Sequence, residues 1–214
     1  MGYVCKAQES EIRDVGAFKG VRTGEAIDVY LTKGKKESVK VEVKGIDLED
    51  VETKVSGGEL KVELASGRFR NHNVKVYVTY VNLQSISASS AASIYGEGII
   101  KSQNLDIRVT SAADIDLTVD AIELNLSVSS SGDLDVKGQA DAIVVSVSSA
   151  GSVNAYDLQS KKGTIKVSSA GSVKVYVTDE ISAEASSGGS VRYRGNPSKS
   201  ATNSSSGGSV KKSN

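Results

Sequence analysis

The feature that most constrains this 214-residue chain is a short box of small residues closed by an aliphatic, repeated seven times. It reads SSAASI ending at Ile94, TSAADI at Ile115, SSSGDL at Leu134 and SSAGSV at Val153. It returns as SSAGSV at Val173, SSGGSV at Val191 and SSGGSV at Val210. The spacing stays close to nineteen residues, the mark of a stacked-repeat architecture. Alternating segments flank each box: Leu124-x-Leu126-x-Val128 before one, Val173-x-Val175-x-Val177 after another. A period of two with β-branched residues means strand with one buried face. The box must then turn the chain, and Gly132, Gly151, Gly171, Gly189 and Gly208 are expected to supply positive φ there.

One coil of about nineteen residues cannot enclose a core, but stacked coils can, each adding a rung at ~4.8 Å. The expected architecture is an all-β, right-handed β-helix or solenoid, the hand following the usual crossover preference. Val173, Val175, Val177, Ile181, Ala183 and Ala185 would form one core layer. A sandwich of ordinary hairpins is the structural rival, but it needs no constant corner interval. The last coil, from Tyr193 to Val210, has almost no inward aliphatics and reads as a polar cap.

Residues 12–83 alternate too, as in Val39-x-Val41-x-Val43 and Val74-x-Val76-x-Val78, without a regular box. They read as a strand-rich N-terminal cap, with 84–214 as the repeat region; whether the cap is a separate domain is left open. Residues 1–11 read as a disordered leader or the remnant of a signal peptide. Cys5 there lacks neighbours that would activate a thiol.

Phe18-x-x-Val21, the alternation at 39–43, Val51-x-x-x-Val55-x-x-Gly58-x-Leu60-x-Val62, the serial boxes, and Val191-x-Tyr193-x-Gly195-x-Pro197 together carry a family likeness. Over residues 12–212 the chain resembles the autotransporter adhesin head (GIN) domain proteins of bacterial cell envelopes. It departs from them in Ala112, Ala150 and Ala170 and in lacking a Gly-Ile-Asn triplet. The resemblance implies a β-helical protein exported from the cytoplasm, at the periplasm, cell surface or beyond, and offers no catalytic residues.

Composition excludes several functions. The 26 basic and 26 acidic residues balance, unlike a nucleic-acid binder. No apolar run approaches a membrane helix, and one cysteine rules out an internal disulfide. His72 sits alone in a polar stretch and reads as an exposed loop residue. Asp114 and Asp133 read as turn-formers, with metal binding the alternative, though the glycine–aspartate calcium repeat is missing. No nucleophile, general base or paired carboxylates recur, so neither an enzyme nor a cofactor is expected.

Two surface features remain. Residues one after the box aliphatic run Asp116, Asp135, Asn154, Lys174, Arg192, Lys211; those three after it run Thr118, Lys137, Tyr156, Tyr176, Arg194. Tyr156 and Tyr176 are expected as neighbours on adjacent rungs. With Lys174, Arg192 and Arg194 they form a candidate contact surface for a protein or glycan, the alternative being a pair that only stabilises the sheet. Charge is also segregated: residues 84–160 hold 3 basic and 10 acidic side chains, residues 161–214 hold 9 and 3. The expected role is an extracytoplasmic, adhesin-like binding protein. The alternative is a self-assembling envelope module, closed or end to end.

Overall fold

The computed structural model describes residues 8–67, 69 and 72–213. The described residues are all-β apart from one 3-10 turn at Leu48–Asp50. The strands before the repeats are β1 (Glu9–Arg13), β2 (Gly20–Thr23), β3 (Asp28–Lys33), β4 (Ser38–Lys44), β5 (Val51–Ser56), β6 (Glu59–Leu64), β7 (Asn73–Tyr80) and β8 (Ser85–Ala88). Five long strands follow: β9 (Ser93–Val109), β10 (Asp114–Val128), β11 (Asp133–Val147), β12 (Ser152–Val167) and β13 (Ser172–Ala185). The chain ends with β14 (Ser190–Arg194), β15 (Lys199–Ser204) and β16 (Ser209–Lys212).

Each long strand bends once. In β10 burial alternates through Ala121, skips at Ile122 and Glu123, and resumes at Leu124. A coil is therefore a short arm, a box corner, a longer arm and a second corner. Successive coils pair in parallel, and Ile94, Ile115, Leu134, Val153, Val173, Val191 and Val210 are register partners in turn. The column continues N-terminally through Val29, Val76 and Val41. Every member but Val210 is fully buried. At roughly 1.5–3 kcal/mol per buried aliphatic, these columns supply much of the drive to stack.

The box corners differ from expectation. Positive φ falls not on Gly132, Gly151, Gly171, Gly189 or Gly208 but on the second and third box residues, such as Ser130 and Ser131, or Ser149 and Ala150. The fourth residue's N–H returns to the first carbonyl, as in Gly132 to Ser129 at 3.0 Å. This is the geometry of a type I′ turn, which requires positive φ at both central residues. The glycines serve the stack instead. A Cβ at Gly132 would come within 3.0 Å of the Val109 carbonyl one rung away, and one at Gly189 within 2.9 Å of the Val167 oxygen. Among the described residues, the fourteen non-glycine residues with positive φ all lie in such corners. The third residue's N–H also donates to the next corner, as in Ala112 to Ser130 and Ser131 to Ser149, both 3.0 Å.

An eighth corner lies at Gly24-Glu25-Ala26-Ile27, where Glu25 and Ala26 take φ of 62° and 56° and the Ala26 N–H donates to the Ser90 carbonyl. Through it β2 and β3 form a rung on β8 and β9. β6 and β7 stack on the other side of β2 and β3, in parallel, and β5 and β4 cover them antiparallel. The spatial order thus departs from chain order: the rung made from β6 and β7 lies outside the one made from β2 and β3. β1 adds antiparallel to β4, and Arg13 donates to the carbonyls of Leu48 and Val51, tying the edge down. Residues 9–11 of the segment read as a leader are therefore in β1; residues 1–7, with Cys5, lie outside the described residues. At the far end β15 places Ser200, Thr202 and Ser204 beneath Ile181, Ala183 and Ala185.

Candidate functional site: a charge-blocked ladder

The outward side chains of the longer arm form one column beside the core column. Period-two alternation fixes this, because neighbours of buried residues must point outward. From the N-terminal end it divides into three chemical blocks.

The first block is aromatic, and sequence reasoning missed it. Tyr77, Tyr30 and Tyr95 occupy successive rungs. Their rings stack at 5.1 Å and 5.3 Å between centroids, and the Lys40 ammonium lies 5.6 Å from the Tyr77 ring. Burial raises the Tyr30 pKa, while the hydrogen bond from Lys40 lowers that of Glu42. The signal was present: each tyrosine directly follows an inward aliphatic, and aligning Gly24–Val29 with the boxes would have placed Tyr30 over Tyr95.

The second block is acidic. Asp114 pairs with Asp133 and Asp116 with Asp135 on adjacent rungs. One ammonium, Lys137, sits 3.4 Å from Asp116 and 3.5 Å from Asp135 and is held protonated by them, Asp135 most. Partial burial raises the Asp114 pKa, and Asp133 and Asp116 add to it. Asn154 donates to Asp135 at 2.7 Å. Among the described residues no group of three or more His, Cys, Asp or Glu is placed to hold a metal ion.

The third block is basic and contains the candidate contact residues. Lys174, Arg192 and Lys211 are in register on three rungs. Tyr156 and Tyr176 are not neighbours as expected. β12 shifts register after Ala155, so Tyr176 pairs with Gln159 and Arg194. Tyr156 stands on the resulting bulge and reaches across rungs: the Arg194 guanidinium lies 4.0 Å from its ring centre, Lys174 Nζ 5.9 Å, and its hydroxyl 2.8 Å from Ser213 Oγ. The physical reason is the extra length of β12: Tyr156, Asp157 and Leu158 fall between Ala155, which pairs with Val175, and Gln159, which pairs with the next residue of β13, Tyr176. The structure therefore brings Tyr156, Lys174 and Arg194 into one cluster. Tyr176 instead lies in a second outward row that runs through Gln139, Gln159 and Arg194, and the two glutamines line a groove at the second corner.

His72 is half-buried rather than exposed. Its ring meets Phe69 edge-on at 6.1 Å, and its nitrogens find no partner among the described residues. No helix among the described residues is long and apolar enough to cross a membrane.

Solved bacterial structures share this fold. A structure described as a putative adhesin from Bacteroides fragilis superposes with TM-score 0.89 at 19% identity, over 97% of this chain and 98% of that one. A putative lipid binding protein from Parabacteroides distasonis gives 0.73 at 20% identity, over 97% of each chain. A putative adhesin from Parabacteroides merdae gives 0.73 at 16%, over 97% of this chain and 96% of that one. At these identities the likeness establishes the fold. No curated protein matches the sequence. The family model described as "Putative auto-transporter adhesin, head GIN domain" matches residues 17–197, and the chain belongs to that family.

Proposed function

We propose that this is a non-catalytic, adhesin-like binding protein acting outside the cytoplasm, and that its basic rungs engage an anionic partner, a glycan or an acidic protein surface. One observation carries the reading. Lys174, Arg192, Arg194 and Lys211 converge on one face without a carboxylate partner among the described residues. Unpaired cations held at rung spacing on a rigid sheet form a polyanion-binding surface whose backbone spacing is fixed before binding. Arg194 is already fixed over Tyr156, an arrangement common at contact surfaces. Membership of the adhesin family supports the compartment.

The test is retention on an immobilised acidic polysaccharide and on anionic vesicles, at low and high salt. The wild type is retained at low salt and released as salt rises. Lys174→Glu with Arg192→Glu abolishes retention. Retention unchanged by both salt and substitution would overturn the reading.

A further inference from the structure

The longer arm's outward column has an order that the fold does not require. Centred on Asn154, it reads Asp116, Asp135, Asn154, Lys174, Arg192. The two rungs on one side carry carboxylates and the two on the other carry cations, at matching distances from the centre. One rung further out lie Tyr95 on the acidic side and Lys211 on the basic side. Such a column is complementary to itself when reversed.

We propose that this face closes on a second copy of the chain, with the rods antiparallel, about a two-fold axis running along the Ser152–Tyr156 strand segment. That axis lies in the interface and parallel to the strands. It reverses rung order but keeps each column opposite itself. Asp135 then faces Lys174 of the second copy, Asp116 faces Arg192, and Tyr95 faces Lys211. The flanking columns agree. Asp133 and Asp114 face Ser172 and Ser190, so no like charges meet there. Asn154 meets its own copy, and an amide can both donate to and accept from its equal. In an isologous interface every such contact occurs twice.

Neither block is neutralised within its own chain. The four carboxylates of the acidic block have one ammonium among them, that of Lys137, and the cations opposite have no carboxylate among the described residues. Seven rungs by five residues give a footprint of roughly 29 Å by 17 Å. That is about 500 Å² per copy, below the ~800 Å² of a standard interface. The dimer is therefore weak, held by charge, and reversible with salt. It uses the basic rungs that also serve the adhesin reading but does not depend on it, and dimerisation hides those rungs.

Sedimentation of the full chain over a concentration series tests this. Wild type forms a dimer at low salt whose dissociation constant rises at least about tenfold in high salt. Two variants separate the blocks: Asp116→Lys with Asp135→Lys, and Lys174→Glu with Arg192→Glu. Each alone is monomeric, and an equimolar mixture restores a dimer, since each then offers what the other lacks. The first variant still binds acidic polysaccharide, so loss of the dimer and loss of adhesion are distinguishable. Asn154→Cys in a Cys5→Ser background forms a cross-linked dimer on mild oxidation. A wild type monomeric at every concentration, or a mixture that stays monomeric, would overturn the proposal.

Discussion

The middle of the stack and its last rung share one corner design but not one interior. Around β10–β13 the inward positions carry an aliphatic, alanine or other small residue, all shut off from solvent but the half-buried Gly138. In β15 all six residues are exposed, with Ser200, Thr202 and Ser204 in the columns of Ile181, Ala183 and Ala185. Yet the final corner closes as the others do, with Ser206 and Gly207 at positive φ and the Gly208 N–H returning to Ser205 at 2.8 Å. Turn geometry is thus set locally, while burial depends on having a neighbour on both sides. A polar last rung costs little core and leaves an edge unattractive for strand addition. The N-terminal end reaches the same result differently, by laying antiparallel strands over its first rungs.

Emptying a middle column breaks this comparison most sharply. Leu134→Ala should cost about 3 kcal/mol, within the range for buried leucine truncation, whereas Val210→Ala in the same column should cost well under ~1 kcal/mol. Equal losses by chemical denaturation would mean that the end rung is as integral as the centre. Gly138 gives the next effect. It takes φ of 111°, and a Cβ there would overlap the Val119 carbonyl oxygen, so Gly138→Ala should cost about 2 kcal/mol or more.

A gain is expected at Thr23. It is 1% exposed and its hydroxyl has no hydrogen-bond partner, in a position occupied by Val109 and Val128 on later rungs. Thr23→Val removes a buried orphan hydroxyl and should stabilise by about 1 kcal/mol, read as a higher melting temperature.

The smallest effect concerns Asp114. Its folded pKa is raised above the usual carboxylate value, so the folded state holds its proton more tightly than the unfolded state. Stability therefore falls as pH rises from the ordinary aspartate pKa through the raised one, and stays lower above it. Asp114→Asn should raise the melting temperature at neutral pH and leave it unchanged well below the ordinary aspartate value. An equal rise at both pH values would remove the electrostatic cause.

The stack was legible because the box fixes a phase: every second residue after Ile115 or Val173 points inward, and register follows from counting. Counting fails where the chain does not keep step. The β12 bulge moves Tyr156 away from Tyr176, since three extra residues, Tyr156 to Leu158, change which side chains meet while each flanking segment keeps its own alternation. The corner at Gly24–Ile27 is masked because Glu25 and Ala26 take positive φ without the Ser-Ser-Gly signature, leaving only the position of Val29 and Tyr30 after it as a mark. The placement of β6 and β7 outside β2 and β3 could not be read either. Alternation states which face is buried, but parallel neighbours are chosen by long-range pairing. The fourth-position corner glycines stand out in the sequence, yet what they provide is space rather than an unusual dihedral. They leave room for the rung behind, while the second and third residues take the positive φ, serine and alanine in most corners and Gly188 and Gly207 in the last two.

The amide passed from each corner to the next has an evolutionary consequence. A duplicated unit of about nineteen residues would find its donor and acceptor already waiting, so this rod can lengthen or shorten by whole steps without new joinery. Each such step inserted beside Asn154 would move the two charge blocks apart by one strand spacing, making molecular length itself a means of choosing who fits whom.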